Sequence, residues 1–147
     1  MITCSKVYKD IPFAHRQHLH NGNCSKIHGH NWQIKLTFAC SELNEMGFVI
    51  DFGKLKYIKK FIQDKLDHGC VLSCNDPLLH EIMAVDVYKI YLVENASCEG
   101  LAKHLFSLFD DMVLVTEGTR AWVHEIEIFE DSKNSVKYRP TKDGLLQ

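Results

Sequence analysis

Between His28 and Phe38 every second residue is a histidine or a large apolar side chain: His28, His30, Trp32, Ile34, Leu36 and Phe38. The residues between them are glycine or polar: Gly29, Asn31, Gln33, Lys35 and Thr37. Strict alternation is the signature of a half-buried β-strand, because successive side chains point to opposite faces. The strand, residues 31–39 with the histidine pair at its start, therefore has one face that must be covered. It also places two imidazoles side by side at the entrance to that face, and Gly29 between them permits close backbone approach. His15 lies two residues after Phe13 and shares its face at the end of another candidate strand. Three neutral imidazoles that leave a fourth position open form a catalytic zinc site rather than a closed structural one. Cys24 lies between His15 and His28, and a thiol beside such a metal is a candidate base or nucleophile.

Two plainer readings stand beside this one. The chain has nine histidines, and a His-x-His pair alone is more often two surface residues than a metal site. His18 and His20 form a second such pair, so spacing does not choose which histidines would bind.

The 147 residues suit one domain spanning 1–147. A formal charge of −2 and the lack of a basic stripe give no support to a nucleic-acid partner. No apolar run reaches the length of a membrane span, and Met1 to Lys6 has no apolar signal core, so a cytoplasmic protein is expected. The six cysteines are then expected as reduced thiols. The spacing Cys70-x-x-x-Cys74 has no second close pair to complete a zinc site.

Residues 4–13 read as a first strand of uneven pattern, and 14–27 as a histidine-rich loop with a turn at Asn21-Gly22-Asn23. Asp51 can cap a helix through Leu66, with Phe52, Leu55, Ile58, Phe61, Ile62 and Leu66 on its apolar face. Pro77 can open a short helix over 78–84, followed by a β-rich run over 85–93. A helix over 98–111 has Ser97 as its cap and the stripe Leu101, Leu105, Leu108, Phe109 and Met112. Strands follow at 122–129 and 135–139, and the tail after Pro140 reads as loose. Strands, then helices, then strands predict an α+β fold: an antiparallel four-stranded sheet with helices on one face. Such a sheet leaves a face and two edges to manage, and oligomerisation into a barrel is one solution.

Two further groups could carry chemistry. In Asp67-His68 the carboxylate can orient the imidazole, which can then move protons near neutral pH. The plainer reading is a pair at a helix end. Glu130 has the parity of Ile126 and Ile128, and an acid on an apolar face needs a partner. A ligand with adjacent N–H donors would suit it; the alternative is a strand-end carboxylate reaching solvent.

Taken in order, Phe13-Ala14-His15-Arg16, Cys24-x-x-x-His28-Gly29-His30, Gly47 followed by Asp51-Phe52, Leu66-Asp67-His68, Cys98-Glu99-Gly100-Leu101-Ala102, and Glu130 with Tyr138-Arg139 resemble the 6-pyruvoyltetrahydropterin synthase superfamily. Within it they are most similar to the 6-carboxytetrahydropterin synthases of the queuosine pathway. The resemblance spans about residues 5–139 and rests on joint order and spacing, since no single motif is decisive. It implies that His15, His28 and His30 bind zinc (Zn2+), and that Cys24, Asp67 and His68 transfer protons. It also implies that Glu130 anchors a pterin ring, with Glu99 as the acid of the family's Pro-Thr-x-Glu helix start. The implied fold is the tunnelling fold, in which three subunits close a barrel and two trimers stack as a homohexamer. Active sites then lie between subunits.

The implied reaction converts 7,8-dihydroneopterin triphosphate to 6-carboxytetrahydropterin with release of acetaldehyde and triphosphate. The ring is reduced at the expense of its own side chain, so no nicotinamide is required. The three-residue interval between Cys24 and His28 resembles the carboxytetrahydropterin branch; the pyruvoyl-forming synthases usually have a longer one. Alternatives are a 6-pyruvoyltetrahydropterin synthase or a catalytically silent zinc- or pterin-binding relative. The latter is suggested by Ala96-Ser97 in place of Pro-Thr and by Asp131 where a threonine often follows the anchor glutamate. Arg16 and Lys26 are candidates for the triphosphate, and solvated loop charges are the plainer reading.

Overall fold

The alternating run from His28 becomes the centre of the sheet in the computed structural model, which describes residues 1–141. In chain order the described residues form β1 (Thr3–His15), β2 (His28–Cys40), α1 (Lys56–Phe61), β3 (Gly69–Ser73) and α2 (Leu79–Val85). They continue through β4 (Lys89–Val93), α3 (Cys98–Glu117), β5 (Ala121–Phe129) and β6 (Ser135–Tyr138). The strands make one sheet in the order β4-β3-β1-β2-β5-β6. The expectation of a loose tail falls mostly outside the described residues.

The α+β class holds, but the four-stranded antiparallel sheet is corrected to a six-stranded mixed one. β1, β2, β5 and β6 pair antiparallel, whereas β3 runs parallel to β1 and β4 parallel to β3. β3 escapes a pattern reading because all five of its residues are buried. A strand covered on both faces has no polar alternation to reveal it. β4 occupies only the end of the expected β-rich run and forms a sheet edge.

On β2, Trp32, Ile34, Leu36 and Phe38 are all fully buried. They share one core with Leu55, Ile58, Ile62 and Leu66, and with Leu101, Ala102, Leu105, Phe109 and Val113 of α3. Each of the large aliphatic and phenylalanine side chains among them stabilises the fold by about 1.5–3 kcal/mol through the water it leaves. α1 with its flanking turns and α3 thus cover one face of the sheet, whereas α2 buries none of its residues. The stripe of α3 continues through Val113, so the helix runs past the expected end at Asp111 to Glu117. Ser97 caps its start by accepting from the Gly100 N–H at 3.0 Å.

β1 has an uneven pattern because it is bulged. Tyr8 pairs with Ile34 but Ile11 with Trp32, so one extra residue is inserted at Lys9-Asp10, and Asp10 takes φ +56°. The bulge shifts the inward parity from Tyr8 to Ile11, Phe13 and His15, and thereby aims His15 into the core side. A second register shift between Thr37 and Phe38 on β2 does the same for β5, where Val123 is buried before it and Ile126 and Ile128 after it.

The helix expected over 51–66 is interrupted. Asp51 caps a short 3-10 turn, Phe52–Lys54, accepting from the Gly53 N–H at 2.9 Å. α1 then passes into a wider π turn, Ile62–Leu66, closed by the Asp67 N–H to Ile62 carbonyl bond at 2.9 Å. Leu55, Ile58, Ile62 and Leu66 remain buried, while Phe52 is exposed. Among the described residues no helix is long and apolar enough to cross a membrane.

Candidate metal centre

β1 and β2 end side by side. His15 pairs with His28 and Phe13 with His30 in the antiparallel register, so three imidazoles meet at one corner of the sheet. Ring centroids are 4.6 Å apart for His15 and His28, 4.9 Å for His28 and His30, and 5.3 Å for His15 and His30. One ring nitrogen from each lies within 4.8 Å of the others, an arrangement that could hold a metal ion.

Hydrogen bonds set the tautomers of two rings. His15 Nδ1 donates to the Ala96 carbonyl at 2.8 Å, and His28 Nδ1 donates to the Lys26 carbonyl at 2.7 Å. A carbonyl only accepts, so each Nδ1 carries the proton and each Nε2 keeps a lone pair. Backbone carbonyls commonly orient metal-binding histidines this way. The Nε2 atoms of His15 and His30 are buried and lack a hydrogen-bond partner. Two orphaned imidazole nitrogens facing a shared point are costly without a ligand. They fit a divalent ion that takes nitrogen donors. Burial drives the His15 pKa down to about 4, against the raising effect of its Ala96 bond, so His15 is neutral at neutral pH.

The floor beneath is apolar. Trp32 stands edge-on to His15 and His30 at centroid distances of 5.0 and 5.2 Å. It is held by its own N–H to the Phe13 carbonyl at 2.9 Å and by stacking on Phe13 at 4.4 Å.

Glu130 directly follows β5, and its Oε1 lies 3.4 Å from His15 Nε2 and 3.5 Å from His30 Nε2. The carboxylate, on the face of Ile126 and Ile128, thus lies beside the histidines with its side chain 24% exposed. Its backbone N–H is held by the Asn134 carbonyl at 3.0 Å.

Other residues singled out in the sequence stand apart within one chain. Cys24 is half-buried in the 3-10 turn Asn23–Ser25, its carbonyl accepting from the Gln17 N–H at 2.8 Å. Asp67 and His68 follow the π turn, and His68 Nδ1 lies 2.5 Å from Asp67 Oδ1. His68 has φ +60° and donates its backbone N–H to Pro12 at 2.7 Å. Glu99 is exposed on the first turn of α3. Among the described residues no hydrogen bond or ion pair joins Cys24, Asp67, His68 or Glu99 to the three histidines. His20, from the rival His-x-His pair, accepts from the Gly22 N–H and is exposed, and neither it nor His18 belongs to the cluster.

Arg16 corrects one expectation. It is not a solvated loop charge: its guanidinium grips Asp76, with Nε to Oδ2 at 2.5 Å and Nη2 to Oδ1 at 2.7 Å. Asp76 and the Ala96 carbonyl are the contributors that sequence reasoning missed. A backbone oxygen leaves no side-chain signal, and Asp76 is a lone acid directly before Pro77 with no motif around it.

An α+β sheet with a histidine corner and a carboxylate at its rim defines a pterin-synthase-type enzyme once it is set beside known proteins. The family model described as 6-pyruvoyl tetrahydropterin synthase matches residues 4–141, and the chain belongs to that family. The 6-carboxy-5,6,7,8-tetrahydropterin synthase of Rickettsia felis is 29% identical over 133 residues, covering 88% of this chain and 94% of the relative. That of Rickettsia typhi is 33% identical over 108 residues, covering 71% and 78%. In fold, an uncharacterized protein from Wolinella succinogenes superposes with a TM-score of 0.82 at 19% identity, covering 95% of this chain and 98% of the other. The Caenorhabditis elegans 6-pyruvoyl tetrahydropterin synthase does so with 0.66 at 23% identity, covering 95% and 96%.

Proposed function

We propose that this chain is a zinc-dependent 6-carboxytetrahydropterin synthase acting on 7,8-dihydroneopterin triphosphate in queuosine biosynthesis. The observation that carries the reading is the histidine corner. His15 and His28 have their Nδ1 protons committed to carbonyls, and His15 and His30 present buried Nε2 atoms without partners. The relatives named as carboxytetrahydropterin synthases supply the reaction class.

His15, His28 and His30 would hold zinc and leave one position for a side-chain hydroxyl of the substrate. Bound there, the ion would make that hydroxyl and the adjacent C–H more acidic. Cys24, as thiolate, takes the side-chain proton. Asp67 holds the His68 Nδ1 proton, which leaves His68 Nε2 free to accept and return protons as the side chain rearranges. Glu130 accepts hydrogen bonds from the ring amino and N–H groups and fixes the pterin over the corner. Ser97 preserves the helix cap despite the loss of Pro-Thr, so Glu99 keeps its place at the head of α3.

The separation of Asp67-His68 from the histidines suits a site shared between copies in a homohexamer of two stacked trimers. The free edges of the sheet would then pair around a barrel.

The test is incubation of zinc-loaded protein with the triphosphate substrate, with product masses recorded. 6-Carboxytetrahydropterin together with acetaldehyde supports the reading. A 6-pyruvoyl product would move the chain to the other branch, and unchanged substrate would leave a binding protein.

A further inference from the structure

We propose that Arg16 and Asp76 form a clamp that positions Cys24; this rests on the reading of Cys24 as the proton-accepting thiol. Arg16 directly follows His15, and its guanidinium bridges two loops. The Nε and Nη2 groups form a forked pair with Asp76, while Nη1 donates to the Ser25 carbonyl at 2.7 Å. Ser25 is the neighbour of Cys24 in the same short turn, and the next residue, Gln17, binds the Cys24 carbonyl itself. Two consecutive residues after a histidine of the cluster thus hold two consecutive carbonyls of the cysteine turn.

The far end of the clamp is rigid. The Asp76 side chain is fully buried and that of Arg16 is 12% exposed. Asp76 Oδ1 also accepts from the Leu78 N–H at 2.9 Å, and the Asp76 N–H is bound by the Ser73 carbonyl at 3.0 Å at the end of β3. The sheet therefore reaches the cysteine turn by two routes, directly through β1 and through β3, Asp76 and Arg16. If Arg16 turned to bind a phosphate instead, Asp76 would be left as a buried charge without its counter-ion. The connection over 75–94 acquires a role here, because it contributes Asp76.

The geometry separates the two partners' duties. Lysine at 16 carries the charge but not the fork, and does not hold Asp76 and Ser25 together. Asparagine at 76 keeps an acceptor for Leu78 but turns an amide donor toward the guanidinium. Either change removes one of the two routes and loosens the turn while leaving the three histidines in place.

The experiment is peptide-resolved iodoacetamide labelling of the zinc-loaded full chain for wild type, Arg16→Lys, Asp76→Asn and the double variant, with bound zinc and steady-state kinetics measured on the same samples. Expected is a rise in the Cys24 labelling rate of about fivefold or more in each single variant and no further rise in the double, as for two residues acting through one link. Buried Cys70 stays protected and zinc content is unchanged. In kinetics, kcat falls about tenfold or more while KM stays within about threefold, as expected when a reacting group is misplaced rather than removed. A Cys24 rate within about twofold of wild type, or below it, in either single variant overturns the proposal. So does equal exposure of Cys70, which would make the pair a general support of the fold, and so does loss of zinc, which would place its action on His15. Unchanged kcat in variants of a wild type that turns over also overturns it. If wild type makes no product, the functional reading fails, and the labelling still decides the clamp.

Discussion

His15 and His68 are both histidines beside a carboxylate, yet their settings differ in almost every respect. The His15 side chain is 1% exposed, its Nδ1 is tied to Ala96, and it lies edge-on to Trp32, His28 and His30. The His68 side chain is 84% exposed, sits at φ +60° and has Asp67 as its side-chain partner. The first is fixed before any ligand arrives; burial has already selected its neutral form. The second has a defined tautomer but no defined target among the described residues of its own chain. Preorganisation of a metal site and exposure of a proton relay are what a site completed by a second copy would require.

The largest effect is expected at the corner itself. His28→Ala should remove most bound zinc, with metal affinity falling by more than the ~100-fold typical of losing an outer-shell contact. Titration against a metal indicator measures this, and retained zinc would put the ion elsewhere. Cys24→Ala should keep full zinc occupancy and lose turnover by roughly 10²–10⁴, the range for a positioned proton-transfer group. Metal analysis and rate assay on one sample check it, and loss of zinc would make Cys24 a ligand. Glu130→Gln should weaken binding of a non-reactive pterin by about 2–5 kcal/mol, because an amide presents donors to ring donors. Its melting curve should stay close to wild type. Calorimetric titration showing equal affinities would return Glu130 to solvent.

The smallest effect concerns pH and the Arg16–Asp76 pair. The Arg16 hydrogen bonds hold the Asp76 carboxyl below its ordinary value of 3.8, with burial opposing and the Leu78 N–H assisting. The unfolded chain therefore takes up this proton first as pH falls. The pair's contribution to stability is fully present above about pH 4 and is lost as pH drops through the lower folded value. Urea melts of wild type and Asp76→Asn should differ at pH 7 and converge in strong acid. A gap that stays constant with pH would show that the pair does not carry the difference.

Much of the corner was legible because it rests on strand period. Trp32, Ile34, Leu36 and Phe38 announce β2, and the same parity carries His28 and His30 to one face. His15 was legible only through its two-residue step from Phe13; the bulge at Lys9-Asp10 that makes this step face inward has no sequence signal beyond an uneven strand. β3 was illegible because complete burial erases alternation. The break of the expected 51–66 helix into 3-10, α and π turns was illegible because its apolar positions fit a continuous helix equally well. The Arg16–Asp76 pair joins residues sixty apart, and local pattern says nothing about such contacts.

The most direct test of the difference between the two histidines is complementation. Cys24→Ala and His68→Ala chains are each prepared, mixed in equal amounts under dissociating conditions and reassembled with zinc. If Cys24 of one copy works with Asp67-His68 of its neighbour, each variant alone is inactive, and random mixing restores about a quarter of wild-type turnover, the fraction of interfaces with both groups intact. If all three groups act within a single chain, no mixture contains an intact site. Activity of verified mixed assemblies no higher than the sum of the two variants would contradict the account.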